Sequence, residues 1–382
     1  MTLVVVSPPA GGLLNHAIAL CYEIGKSGKS TLLVSGPEAK THLLNIGYKG
    51  AYKLLETHSH LFTTGRQRIS HFRASCKPEY VEKAFHDLNL IVKHNNVTAI
   101  ISKNQPHSKI VAYKNDIPWI AYHTGGLFHL HKEVAPLLST ISQECLTDLQ
   151  KVSKSLVISN LFETKQDIFI SRKMNLVRGV PALFPSISVN QRFDVPFIFT
   201  GALTFDGNFE TLPKISKNEP IFITFGTVCN DLSLYQLVFQ YFEKMKWPAI
   251  MSWPNANSDY MNSNYIDIHP YIPNHAVISD SSLVIHHGGV GTLLTCLHFG
   301  VPQLILPYNF NRSCQLLHGK NLELLGIGKV WERNTEFEDF MNKSIAWSKL
   351  SETRKTEKRF SELFRVQDAQ YRTTLSTFFK WI

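Results

Sequence analysis

Short apolar runs alternate along the chain with stretches of helical length in which apolar residues recur every three or four positions. That alternation predicts a parallel sheet covered by helices, an α/β fold. In the first half, residues 3–6, 31–35, 98–102, 119–122 and 156–159 read as buried strands. Asn15 is placed to cap a helix that runs to about residue 27, where Gly28 stops it. A stretch rich in Pro, Asn and Asp, residues 180–218, separates this half from the next. Residues 221–225 restart the same logic with a strand, a turn at Gly226-Thr227 and a helix around 232–244. Further strands fit residues 249–252, 265–268, 283–287 and 303–306, and residues 351–382 are mostly helical in pattern. The halves share a plan but no residue-level repeat.

At 382 residues the chain exceeds the length at which single cores usually stop growing, so two domains are expected. A composition of 44% hydrophobic and 18% charged residues is that of an ordinary globular protein. The first apolar run has no basic leader and is too short for a signal peptide or a membrane span. Cys21, Cys76, Cys145, Cys229, Cys296 and Cys314 form no Cys-x-x-Cys pair, which indicates neither a zinc site nor a disulfide framework. A cytoplasmic protein with reduced thiols and no transmembrane segment is the expectation. The net charge of +9 would suit nucleic acid, yet the basic residues are spread and no nucleic-acid motif is present. The dense cluster at 343–358 reads as a solvated helix face rather than a membrane anchor.

Residues 283–307 concentrate the chemistry: strand, glycine turn, helix, a stop at Gly300, strand. A glycine turn opening a helix presents unpaired N–H groups and the positive end of the helix dipole, which together suit a diphosphate. Gly288, Gly289 and Gly291 let that backbone approach phosphate oxygens closely, while Thr292 adds a hydroxyl donor and His287 an imidazole N–H. A tight turn packed for its own sake is the competing account. Two familiar nucleotide motifs fail here. Gly28-Lys29-Ser30 lacks the upstream glycine of a P-loop, since position 23 is Glu, and Gly-Gly-Val-Gly fits no register of Gly-x-Gly-x-x-Gly.

His286-His-Gly-Gly-Val-Gly-Thr, followed by Gly300-Val-Pro-Gln and Leu306-Pro307, resembles the donor-binding signature of family 1 glycosyltransferases. The bacterial branch that glycosylates natural products, antibiotics among them, is the nearest in flavour. Tyr271-Ile-Pro273-Asn274 is similar to the family's Trp-x-Pro-Gln, where the aromatic supports the nucleobase. Phe225-Gly226-Thr227 resembles the turn that contacts the diphosphate, and Phe199-Thr-Gly201 the strand closing the first domain. The resemblance implies the GT-B architecture, two Rossmann-like domains facing across a cleft. Residues 1–203 would bind the acceptor and 204–382 the nucleotide sugar, with a terminal helix, about 365–382, crossing back to the first domain. It implies an inverting displacement that moves a hexose or deoxyhexose from a UDP- or TDP-sugar to a small-molecule acceptor, without metal or cofactor. Gly12, Gly226, Thr227, Tyr271, Pro273, Asn274, His287, Gly288, Gly289, Val290, Gly291, Thr292, Asn311 and Arg312 would line the donor site. A homodimer is left open.

The chain departs from that pattern in three places. The family's base lies in Gly-His-x-x-Pro, but Gly12 is followed by Leu13-Leu14-Asn15-His16, so Leu13 occupies the base position. The acidic partner after the fourth strand falls at Lys103 or Asn104. His16 lies about one helical turn on and can substitute as base, biased toward the neutral form by a helix N-terminus. Alternatively the acceptor is acidic enough to need no strong base, or the protein binds sugar nucleotide without turning it over, as a catalytically impaired or auxiliary protein. The third departure is Asn311-Arg312, where the family often has Asp or Glu followed by Gln, favouring a sugar that offers acceptors or an anion. His123, His129 and His131 follow a strand end, and His58, His60 and His71 fall in a loop, but without a carboxylate partner they read as scattered histidines rather than metal ligands.

Overall fold

The computed structural model describes the chain except residues 10, 59–72, 104, 124–134, 159, 184–194, 204–218, 227–228, 230, 255, 258–259, 261–262 and 309–313. At residues 11–12, 58, 135–142, 166 and 314 it describes the backbone alone. Two compact units result, one of Met1–Pro181, Ser186–Phe205 and Asp368–Ile382, the other of Ala182–Pro185 and Asp206–Gln367.

In the first unit β1 (Thr2–Val6), α1 (Gly11–Lys26), β2 (Ser30–Ser35), α2 (Ala39–Asn45) and β3 (Tyr52–Leu54) run in one direction across the sheet. Next come α3 (Pro78–His94), β4 (Val97–Ser102), α4 (Pro106–Lys114), β5 (Trp119–His123), α5 (Ala135–Ser155), β6 (Met174–Val177) and β7 (Phe197–Phe199). The strand order is β3-β2-β1-β4-β5-β6-β7, so the winding reverses between β1 and β4. Strand pairs are parallel throughout. Such strands are covered on both faces, which is why Leu3, Val4, Val5 and Val6 form an unbroken buried run.

Two sequence expectations fail in this unit. Asn15 caps nothing, because α1 starts at Gly11; its side chain meets His42 of α2 instead. Residues 156–158 are not a strand, and residue 159 lies outside the described residues. Their amides are taken by the end of α5, with Leu156 N–H on Val152 O, Val157 on Lys154 O and Ile158 on Ser153 O, leaving no donors for a sheet. Ile158 is buried, but as the helix's C-terminal anchor. The strand beside β5 is β6, where Asn175 accepts from Ser171 N–H at 3.0 Å.

The second unit contains β8 (Ile221–Thr224), α6 (Leu232–Met245), β9 (Ala249–Ser252), β10 (Ile266–His269), α7 (Asn274–Ile278) and β11 (Leu283–His286). It continues through α8 (Val290–Phe299), β12 (Gln303–Ile305), α9 (Cys314–Leu324), β13 (Gly328–Val330), α10 (Phe337–Ser348) and the start of α11 (Ser351–Trp381). The parallel order β10-β9-β8-β11-β12-β13 puts the reversal between β8 and β11. Asp231 caps α6 by accepting from Leu234 N–H, and Tyr235 stacks on Trp253 at 4.9 Å to seal one face. Gly300 ends α8 at φ 70, in the left-handed region, and a Cβ there would stand 3.2 Å from Ser361 Cβ on α11. From Asp368 onward α11 belongs with the first unit, where the Asp368 carboxylate accepts from Ala202 N–H and pairs with Arg372 at 3.0 Å.

Candidate functional site

In open α/β sheets ligands settle outside the carboxyl ends of the strands where the winding reverses. In the second unit that point lies between β8 and β11, and the residues leaving those strands are Phe225-Gly226 and His287-Gly288-Gly289. Gly288 turns the chain at φ 86, and Gly289 is the N-cap of α8 at φ −67 and ψ 134, with no side chain capping the helix. The first helical bond runs from Leu293 N–H to Gly289 O at 3.0 Å. The N–H groups of Val290, Gly291 and Thr292 therefore lack intrahelical acceptors, as at any helix start.

The half-buried His287 imidazole rests over both glycine turns. A Cβ on Gly226 would lie 3.0 Å from its Cε1, and one on Gly289 only 2.6 Å from its Nε2. Tyr308 flanks the ring at 5.6 Å between centroids. Asn274, at the start of α7, donates from Nδ2 to Thr292 Oγ1 at 3.0 Å and ties the segment behind Pro273 to the first turn of α8. Tyr271 leaves 42% of its surface exposed. The structure thus brings together Gly226, His287, Gly288, Gly289, Val290, Gly291, Thr292, Asn274, Pro273 and Tyr271 within one unit. Thr227, Asn311 and Arg312 lie outside the described residues.

Two histidines support this turn: His286, which opens the signature but was given no role of its own, and His318, which the sequence did not single out. His286, fully buried, accepts from Gly288 N–H at Nδ1 (3.2 Å), while its Nε2 faces Gln303 Oε1 at 3.0 Å. His318 on α9 stands with Nδ1 2.7 Å from Gly288 O. Burial pushes the first down to about 3 and the second to about 4, so both are neutral. A histidine in a doubly covered strand needs a buried partner, which was a usable signal for His286; nothing local marks His318.

The first unit gathers basic groups at the corresponding sheet end. Lys103 follows β4, His123 ends β5, and Arg178 follows β6 with its N–H on His123 O at 2.9 Å. Arg178 is 1% exposed and donates from Nε to Ala202 O and from Nη2 to Leu203 O. His16 is 7% exposed, and burial, then the charges of Arg178 and Lys103, hold it well below the usual histidine range. Since α1 begins at Gly11, His16 sits beyond its first turn, and burial rather than the helix dipole keeps it neutral. Burial also takes His123 to about 4, against a bond to Asn175 that favours its charged form. Leu13 is half-buried beside this region, and at Gly12 only the backbone is described. Asn104, His60, His71, His129, His131 and the side chain of His58 lie outside the described residues. Among the described residues no group of three or more His, Cys, Asp or Glu could hold a metal ion.

Residues 260–360 match the family model described as erythromycin biosynthesis protein CIII-like, C-terminal domain. That span holds Tyr271 through Thr292 and also His318. A putative UDP-glucuronosyltransferase, ugt-50 of Caenorhabditis elegans, is 25% identical over 230 residues, covering 50% of this chain and 42% of the relative. The NDP-glycosyltransferase YjiC of Bacillus licheniformis is 28% identical over 173 residues, covering 43% of this chain and 42% of the relative. The matched segments thus span about two fifths of these curated relatives. The glycotransferase of kitacinnamycin superposes with a TM-score of 0.76 at 16% identity, over 97% of both chains. The chain has the GT-B fold. In this GT-B chain the family model covers the α8 turn and its supports but not Gly226, which reaches His287 from β8. No helix among the described residues is long and apolar enough to cross a membrane.

Proposed function

We propose that the chain transfers a sugar, with inversion and without a metal, from a nucleotide-diphosphate sugar to a small natural-product-like acceptor. The observation that carries this reading is the uncapped start of α8, with the His287 imidazole lying over Gly226 and Gly289. An uncapped helix start offers a diphosphate several N–H donors and the positive end of a dipole, and His287 adds a fixed donor beside them. Such groups stabilise a departing diphosphate in place of a cation. Tyr271 would stack on the base, and Asn274 would hold Thr292 in place for the phosphates. Relatives named for UDP- and NDP-sugar transfer support the same donor class. Asn311-Arg312 would read the sugar.

Two routes remain for the acceptor's proton. His16 can take it as general base, or the acceptor can react already ionised. The second is favoured by the burial of His16 and its depressed basicity, because a base far weaker than neutral accepts protons poorly. A non-catalytic sugar-nucleotide-binding role is supported only by Leu13 at the family's base position. The test is to incubate the protein with UDP- and TDP-sugars and acceptor extracts while following diphosphate release, with and without chelator. Acceptor-dependent release that survives chelation is expected. Tight donor binding with no release for any acceptor would select the binding role, and a strict requirement for Mg²⁺ or Mn²⁺ would overturn the metal-free part.

A further inference from the structure

His318 reaches the glycine turn from 30 residues away in sequence. A carbonyl oxygen only accepts, so the 2.7 Å contact to Gly288 O places the proton of His318 on Nδ1. On the other side of the same residue, Gly288 N–H donates to His286 Nδ1, so His286 carries its proton on Nε2 and gives it to Gln303 Oε1. The two imidazoles are opposite tautomers. Between them they hold both peptide groups that flank the Gly288 Cα, one by its N–H and the other by its C=O.

The second of these peptides decides the matter. Its carbonyl belongs to Gly288 and its N–H to Gly289, and in a trans peptide the two point in opposite directions. A donor on that carbonyl aims the Gly289 N–H away from α9 and polarises it, since hydrogen bonds in series strengthen one another. Gly289 is also the N-cap of a helix that no side chain caps, on the residue over which His287 lies. The glycine at 288 is required by the arrangement, because a Cβ there would stand 3.0 Å from Gln315 O and from Ile305 Cγ2. We propose that His318 is a positioning residue of the donor site: with His286 it clamps Gly288 so that the Gly289 N–H is held as a hydrogen-bond donor to the diphosphate of the sugar nucleotide. The role rests on the donor-site reading above.

The test titrates UDP, TDP and the phosphate-free nucleosides uridine and thymidine into the full-length protein by calorimetry, alongside thermal melts. His318→Phe keeps the ring and loses the donor; it should weaken diphosphate binding about tenfold, the worth of one net hydrogen bond, and leave nucleoside binding unchanged. His318→Asn carries an N–H near the position of Nδ1 and should bind diphosphate to within about threefold of wild type. In wild-type protein labelled with ¹⁵N-histidine, His318 should show the Nδ1–H tautomer at neutral pH, a measurement that stands even if a variant fails to fold. A folded His318→Phe with wild-type diphosphate affinity, an equal loss for diphosphate and nucleoside, or an Nε2–H tautomer would each overturn the clamp. Wild-type protein that binds neither diphosphate would instead remove the donor-site reading, and the clamp with it.

Discussion

The His287 ring lies so close over Gly226 and Gly289 that a Cβ on either would come within 3.0 Å and 2.6 Å of it. Removing a preorganised donor of this kind typically costs about 2–4 kcal/mol. His287→Ala should therefore weaken donor binding or turnover by that amount, and unchanged values in calorimetry and kinetics would refute the assignment. His16 poses the opposite problem, a candidate base whose basicity is held well below the usual histidine range by burial, then by the charges of Arg178 and Lys103. With its pKa well below 6.5 it is neutral from pH 6 to 8, so as the working base it would give a flat rate over that range, and His16→Ala would lower turnover about 10²–10⁴-fold. The expected result is different: a loss below about tenfold and a rate that climbs with the acceptor's own ionised fraction. His287 was legible in the sequence because its neighbours in the chain carry the signature. His16 was visible as a residue but not its depressed basicity, which comes from burial and from the charges of Arg178 and Lys103 brought by other strands. His318 was invisible for the same reason, since its partner is a backbone carbonyl.

Adjacent glycines at the start of α8 do separate jobs. Gly288 holds φ 86, where any side chain is strained, and a Cβ there would press on Gln315 O and Ile305 Cγ2. Gly289 has φ −67 and ψ 134, which any residue adopts, and its Cβ would meet only the end of the His287 side chain. Gly288→Ala should therefore destabilise the protein, by about 1–3 kcal/mol, whereas Gly289→Ala should melt near wild type while losing diphosphate affinity as the imidazole is displaced. Equal melting temperatures for the two variants would contradict this division. Strands as elements were legible wherever both faces are buried, as in residues 3–6 and 249–252, because an apolar run bounded by turns has few alternatives. Residues 156–158 show the limit of that logic. A β-branched run can equally anchor the end of a helix, and only the destination of its amides distinguishes the two. The strands β6 and β13 escaped notice because four and three residues, one of them with Asn175 inside, carry too little pattern.

Across the whole molecule, buried titratable groups make stability depend on pH from both sides. His123 and His318 are lowered to about 4 and His286 to about 3, each mainly by burial, and His16 is lowered in the same direction. For a histidine with a depressed folded pKa the unfolded chain binds more protons, so its contribution is complete above about 6.5 and is lost as pH falls toward the folded value. Glu357 on α11 works the other way. It is 1% exposed, neither carboxyl oxygen has a hydrogen-bond partner among the described residues, and burial raises it to about 9. Its protonated form is the folded one, so its contribution is complete below about 4.5 and is lost as pH rises toward 9. Each group changes stability by at most about 1.4 kcal/mol per pH unit. Melting temperature should consequently peak near pH 6–7 and fall on both sides, more steeply toward acid, where four histidines act together. Glu357→Met has nearly the same volume and no charge to bury, so it should flatten the decline between pH 6 and 8 and steepen the rise between pH 4.5 and 6, where the Glu357 term opposes the histidines. Melts of both proteins from pH 4.5 to 8 check this. A variant that declines toward pH 8 as wild type does would show that Glu357 ionises freely in the folded state, against its burial between α11 and the end of α8.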